Sequence, residues 1–299
     1  MGGAAGDALG GVDAVPWQRL HHAYGPAADV PERLRALLSP DPARRGEARR
    51  HLWASICHQG TRWQASQAAV PFLVALVDDP ATPDRAGVLA LLTAVAIGPR
   101  RDDRLPFDAD RAFAPADALD GVDLTETLGR FYSGDELTGE ETALLELAVV
   151  RWEADCHRCA ARFTPAMTGW VSDPEQDVAA LAAALLPWFP PTPAGVAALA
   201  AVPAERERAR ASANLALAHS PGADPAADRR LRDLLGSGGD LVPVTAAVAL
   251  AYRHGDALPE QALSVLVDAS ARDLPAEVTG WDRAPRGFVM LALRRLGLG

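Results

Sequence analysis

Cys156, His157, Arg158 and Cys159 place two thiols three positions apart with an imidazole between them. Such a pair is half of a zinc site, or a redox couple, if a second half exists. The register around it argues for packing instead. Leu145, Val149, Trp152, Cys156, Cys159 and Phe163 follow one another at alternating intervals of four and three, which draws a single apolar stripe on a helix. Cysteine on such a stripe behaves as a small hydrophobe. The third cysteine, Cys57, supplies no second CxxC, so neither a metal nor a disulfide framework is expected. The opposite face carries Arg151, Glu153, Asp155, His157, Arg158 and Arg162, spaced to form solvated ion pairs along the helix. Glu153 holding His157 would alternatively poise a general base, although no nucleophile stands beside it in sequence.

A second polar group is formed by His58, Gln59, Gly60, Thr61 and Trp63, in a turn between two helical patterns. Two uses compete. Turn residues at the edge of a helical stack are free to meet a ligand. The alternative is that His58 and Gln59 satisfy orphan helix-end groups while Trp63 packs between helices. Of the seven tryptophans, Trp53, Trp63, Trp152 and Trp188 fall within or close to the segments HLWASICHQGTRWQASQAAVPFLVALVDDP and CHRCAARFTPAMTGWVSDPEQDVAALAAALLPWFP. Tryptophan serves both as interface filler and as a recognition anchor. The candidate partner-binding residues are therefore His58, Gln59, Trp63, Trp152, His157 and Trp188.

Familiar catalytic signatures are absent. The phosphate loop needs a Lys and the chain has none, while GxSxG and HExxH do not occur, so no cofactor is expected. All 29 basic residues are Arg, which follows from codon composition before it indicates guanidinium chemistry. The net charge of −10 disfavours nucleic acid as the main partner. No apolar run approaches the roughly 20 residues that span a bilayer. The first residues lack a basic and then apolar leader, so a cytoplasmic protein with a disordered tail over residues 1–14 is expected.

The elements that must position these residues are helices. Val70, Leu73, Val74 and Val77 recur at helical spacing, an Asp78-Asp79-Pro80 turn follows, and Val88, Leu91, Leu92 and Val95 repeat the pattern before Gly98. Ala-rich second helices centred on Leu185, Leu217 and Leu250 recur with a period of roughly 32 to 33 residues. First and second helices are expected to begin near residues 28 and 42, 63 and 83, 141 and 174, 193 and 204, 226 and 241, and 259 and 284. No stretch alternates as a strand does. Residues 99–139, rich in Pro, Gly and Asp, read as an irregular loop within a single array over 15–299.

The segments HLWASICHQGTRWQASQAAVPFLVALVDDP and CHRCAARFTPAMTGWVSDPEQDVAALAAALLPWFP resemble a family of bacterial HEAT-repeat domain proteins. Pro71, Asp79 and Arg85 follow the HEAT pattern of a proline in the first helix, Asp at the turn and Arg early in the second. Pro165 and Asp173 follow it in part, since Val178 comes next with no Arg nearby. The resemblance implies an all-α solenoid of about six helix pairs whose concave surface holds a protein or peptide, and it implies no catalytic residue. The alternative is an enzyme on the same framework that excises damaged DNA bases or acts on a small molecule, with Trp152 and Asp155 in the groove.

Overall fold

The computed structural model describes residues 8–99, 101–220 and 224–298. Among these, 69% are helical and the only strands are His21–His22 and Gly25–Pro26, paired as a two-residue antiparallel ladder, so the protein is all-α. Among the described residues no helix is long and apolar enough to cross a membrane. The chain divides into two compact units: Met1–Pro99 with Asp108–Phe163, and Arg100–Phe107 with Thr164–Gly299.

The first unit contains α1 (Val30–Ala36), α2 (Pro42–Ile56), α3 (Gln64–Asp78), α4 (Arg85–Ile97), α5 (Ala109–Phe113), α6 (Thr125–Ser133) and α7 (Gly139–Ala161). α1 packs on α2, α3 on α4, and α7 against both α3 and α4. Local chemistry sets the boundaries. Asp41 accepts the amide of Ala43 before Pro42 opens α2, and the Thr138–Glu141 capping box starts α7. Asp79 Oδ1 accepts the Ala81 amide at 2.9 Å in the turn, and Arg85 Nε donates to the Val77 carbonyl at 2.8 Å, closing the end of α3. Leu73, Leu76, Leu89, Leu91 and Leu92 fill the core with no exposed surface. Pro71 lies inside α3 and cannot supply the amide that would meet the Gln67 carbonyl.

The second unit contains α8 (Thr164–Trp170), α9 (Gln176–Leu185), α10 (Pro193–Ala201), α11 (Glu207–Ala218), α12 (Pro225–Asp233), α13 (Val242–His254), α14 (Glu260–Ala271) and α15 (Pro285–Arg295). α9, α11, α13 and α15 pack side by side in that order, and α8, α10 and α12 neighbour one another beside them. Close approach of the inner row follows from its alanines: Ala179, Ala180, Ala183, Ala211, Ala213, Ala246 and Ala247 are all fully buried. The turn chemistry of the first unit recurs. Asp173 Oδ1 accepts the Glu175 amide at 3.0 Å, and the buried Arg210 donates through Nη1 to the carbonyls of Ala200 and Val202 at 3.2 and 3.0 Å.

Three sequence expectations change. Residues 1–7 of the expected tail lie outside the described residues, while the rest is placed: Val12 is buried and its carbonyl accepts Trp17 Nε1–H at 2.7 Å. The described residues of the expected 99–139 loop are not irregular but hold α5, α6 and 3-10 turns at Asp102–Arg104 and Ala114–Leu119, with Phe113, Leu119 and Leu128 buried. Elements of three to nine residues are too short to draw a periodic stripe. The expected pairing of helices near 141 and 174 also fails, because the intervening α8 is the partner of α9 and α7 belongs to the first unit.

Candidate functional site

The His58 turn is tied into the first unit through His58, Arg62 and Ser66. His58 Nδ1 lies 3.0 Å from the Ala54 carbonyl, which can only accept, so the ring donates and caps the end of α2. Gln59 sits in the left-handed region at φ 50°, with its side chain exposed, and Gly60 follows at φ 86°. Arg62, buried, donates to the Gly60 carbonyl at 2.7 Å and pairs with Glu153 of α7 at 3.2 Å. Ser66 Oγ accepts the Trp63 amide at 2.7 Å and donates to the Ile56 carbonyl. A non-glycine residue at φ 50° carries strain of about 1–2 kcal/mol. Gln59→Gly is therefore expected to stabilise the protein by about 0.5–1 kcal/mol after glycine's own entropy is counted. Thermal unfolding checks it, and an unchanged or lower Tm would contradict it.

This turn delivers Trp63 to α7. Its ring stacks on Trp152 with centroids 5.5 Å apart and planes inclined by 28°, and it lies 6.2 and 6.3 Å from Phe131 and Tyr132. Trp152 is buried, together with Leu119, Leu128 and Ala148, whereas Trp63 is half-buried and its Nε1 is enclosed without a partner. Beside the stack runs an open groove made of two clefts of about 300 and 520 Å³ that share Gln64, Val122 and Leu124. Leu20, Trp63 and Trp152 continue the apolar wall, and Gln67, Arg151 and Asp155 stand on the polar side.

The short hairpin orients one of the polar groups. Gln64 Oε1 accepts from the His21 amide at 3.2 Å and from His21 Nδ1 at 3.1 Å, so its Nε2 remains as a donor. His21 in turn stacks on Tyr132, at 5.0 Å and 14°, whose hydroxyl donates to the His22 carbonyl at 2.7 Å. Arg151 binds the Ala116 carbonyl at 2.8 Å and the Asp120 carboxylate. Burial pushes the Asp155 carboxyl above its ordinary value, against the opposing pull of Arg151 and Arg158.

Of the six candidate residues, Trp63 and Trp152 meet, and His58 and Gln59 belong to the turn that carries Trp63. His157 is not on a solvated face: it is buried, with its ring 5.4 Å from Phe113, because α5 folds across that side of α7. Trp188 belongs to the second unit, buried with its ring 5.7 Å from Phe107, and does not share the groove of the first. Cys57, Cys156 and Cys159 are free and buried, and burial raises the pKa of each thiol, that of Cys57 to about 11. Among the described residues no group of three or more His, Cys, Asp or Glu is arranged to hold a metal ion.

A three-member cluster in this unit has no signature in the sequence. Asp29 lies between His22 Nε2, at 3.0 Å, and His51 Nε2. Burial opposes ionisation of Asp29, but the hydrogen bonds from His51 and His22 outweigh it and hold the carboxyl below its ordinary value. His22 Nδ1 accepts the Tyr24 amide at 3.1 Å, which leaves its Nε2 to carry the proton donated to Asp29. The cluster ties the hairpin to α1 and α2.

No protein-family model, curated protein or solved structure matches the chain. The groove's chemistry must then carry the functional reading.

Proposed function

We propose that the protein is a non-enzymatic binding scaffold that holds an extended peptide segment of a partner protein in the groove beside Trp63 and Trp152. One observation carries this: the stacked indoles continue into an apolar wall at Val122, 41% exposed, and the half-buried Leu124, and Gln64 and Gln67 line the same clefts with amide groups. Apolar surface with sparse orientable donors and acceptors suits a peptide, whose side chains fill the clefts while its backbone meets the carboxamides. Two confluent clefts give the length that a single compact ligand does not need.

The helix pairs are in this reading HEAT-like repeats of an α-solenoid, and the bacterial family resemblance is its source. Support comes from the recurring Asp turn at Asp79 and Asp173 and the recurring arginine seal at Arg85 and Arg210. A cytoplasmic location accords with three free thiols. The nucleic-acid enzyme is the weaker reading. Arg151 is already tied to Asp120, and Asp123 and Asp155 put carboxylates on the groove, where a phosphate backbone needs cations.

Selection of a displayed random peptide library on the full chain tests the proposal. Enriched peptides are expected to bind at micromolar Kd, and Val122→Glu, at an exposed position, is expected to weaken them at least tenfold with helicity unchanged. Peptides that bind the variant equally, or no enrichment at all, would contradict it.

A further inference from the structure

The second unit contains a recess unconnected with the peptide reading. It is framed by the ends of α11 and α13, by residues 102–106 and by the last turn of α15. Two clefts of about 480 and 390 Å³ share Leu105, His219, Tyr252 and Arg295, and either volume falls in the range of roughly 300–1,000 Å³ usual for small-molecule sites.

Two rings, His219 and Tyr252, line it, and Trp281 backs His219. His219 lies parallel to Trp281, 5.8 Å apart and inclined by 21°, and meets the edge of Tyr252 at 5.5 Å and 86°. The guanidinium of Arg295 sits over the other partner, 3.8 Å from the Tyr252 ring centroid, so a cation is held at the mouth by the ring face.

The polar groups nearby divide sharply. Trp281 Nε1 donates to Ser212 Oγ at 3.0 Å, and Arg283 Nε grips both oxygens of the buried Asp102 at 2.8 and 3.0 Å. Asp103 is paired with Arg101 at 3.1 Å, and Asp228 is shared by Arg253 at 2.7 Å and His254 at 3.2 Å. Three groups are left over. His219 Nε2 is buried without a hydrogen-bond partner, and Arg294 and Arg295 have no carboxylate partner among the described residues. The carboxylates of the recess are thus already neutralised, and the uncommitted charge is positive in a chain whose net charge is −10.

We propose that this recess binds a small organic anion, a carboxylate or phosphate ester on a flat ring, with Arg294 and Arg295 holding the anionic group and the ring lying against the wall of Tyr252 and Leu105. Guanidinium pairs suit carboxylate and phosphate oxygens because their N–H groups match that geometry two at a time. His219, which burial holds neutral with its pKa lowered to about 4, adds no competing charge and contributes polarity without attracting a carboxylate of its own.

Calorimetric titration of the full chain with two matched pairs, benzoate against benzamide and adenosine monophosphate against adenosine, separates charge from shape. At least one anion is expected to bind with a sub-millimolar Kd, its neutral counterpart at least tenfold more weakly. The double variant Arg294→Gln, Arg295→Gln alters two exposed side chains, so helicity and Tm should hold while anion binding falls at least tenfold. Equal binding of charged and neutral ligands, binding unaffected by the double variant, or no heat from either anion at millimolar concentration would each overturn the proposal and leave Arg295 as a packing lid on Tyr252.

Discussion

Trp152→Ala is expected to cost the first unit about 3–5 kcal/mol, the range for removing a buried indole from a close-packed core. Trp152 is 6% exposed and touches the cluster of Leu119, Leu128 and Ala148 as well as Trp63. Its loss therefore opens a cavity between α7 and the segment that precedes α6. Trp63→Ala, at a half-buried ring, should cost less. The double variant should cost less than the two singles combined, because stacked rings contribute about 0.5–1.5 kcal/mol beyond their buried area. Urea unfolding of the four proteins checks this. Strict additivity would show that the rings pack independently and that the groove lacks its stacked wall.

The second large effect is an acid sensitivity carried by His219. Burial lowers its pKa to about 4 from an ordinary 6.5, with nearby Asp102 opposing and Arg295 reinforcing the shift. A base whose folded pKa is depressed takes up its proton more readily when unfolded. The stability it contributes is whole above pH 6.5 and is lost as the pH falls from 6.5 to 4. That difference is worth about 3 kcal/mol. Asp155 works in the opposite sense, since its raised pKa favours protonation in the folded chain. His219→Phe keeps a ring against Trp281 and Tyr252 and removes the titrating group, so the difference between its pH profile and that of the natural protein isolates His219. Profiles that run parallel between pH 7 and 4 would contradict the assignment.

Helices were legible in the sequence wherever a long apolar stripe met a clear start or stop. The expected starts near 42, 63, 83, 193, 226, 241, 259 and 284 fall beside Pro42, Gln64, Arg85, Pro193, Pro225, Val242, Glu260 and Pro285. Proline in the first turn marks several of them, at no cost to the helical hydrogen bonds. The seven-residue α8 and the five-residue α5 were hidden because neither spans two turns. That concealment had a consequence for the site. With α5 unseen, His157 looked solvent-facing, whereas Phe113 covers it.

Two residues of the groove, Trp63 and Trp152, were among the candidates read from the sequence. Trp63 and Trp152 stand out by residue type, yet nothing local says that they stack, since 89 positions separate them. Leu20, Gln64, Val122 and Arg151 join them in the same cleft through tertiary packing alone. Similarly, Leu105, His219, Tyr252 and Arg295 come from four distant stretches, and no spacing rule brings them together.

The most direct test of the peptide groove is hydrogen–deuterium exchange of the full chain with and without a selected peptide. Binding in the groove predicts slower exchange confined to segments near residues 63–67, 119–128 and 148–155, with the second unit unchanged. Protection elsewhere, or none in these three segments despite saturating peptide, would contradict a recognition surface at Trp63 and Trp152.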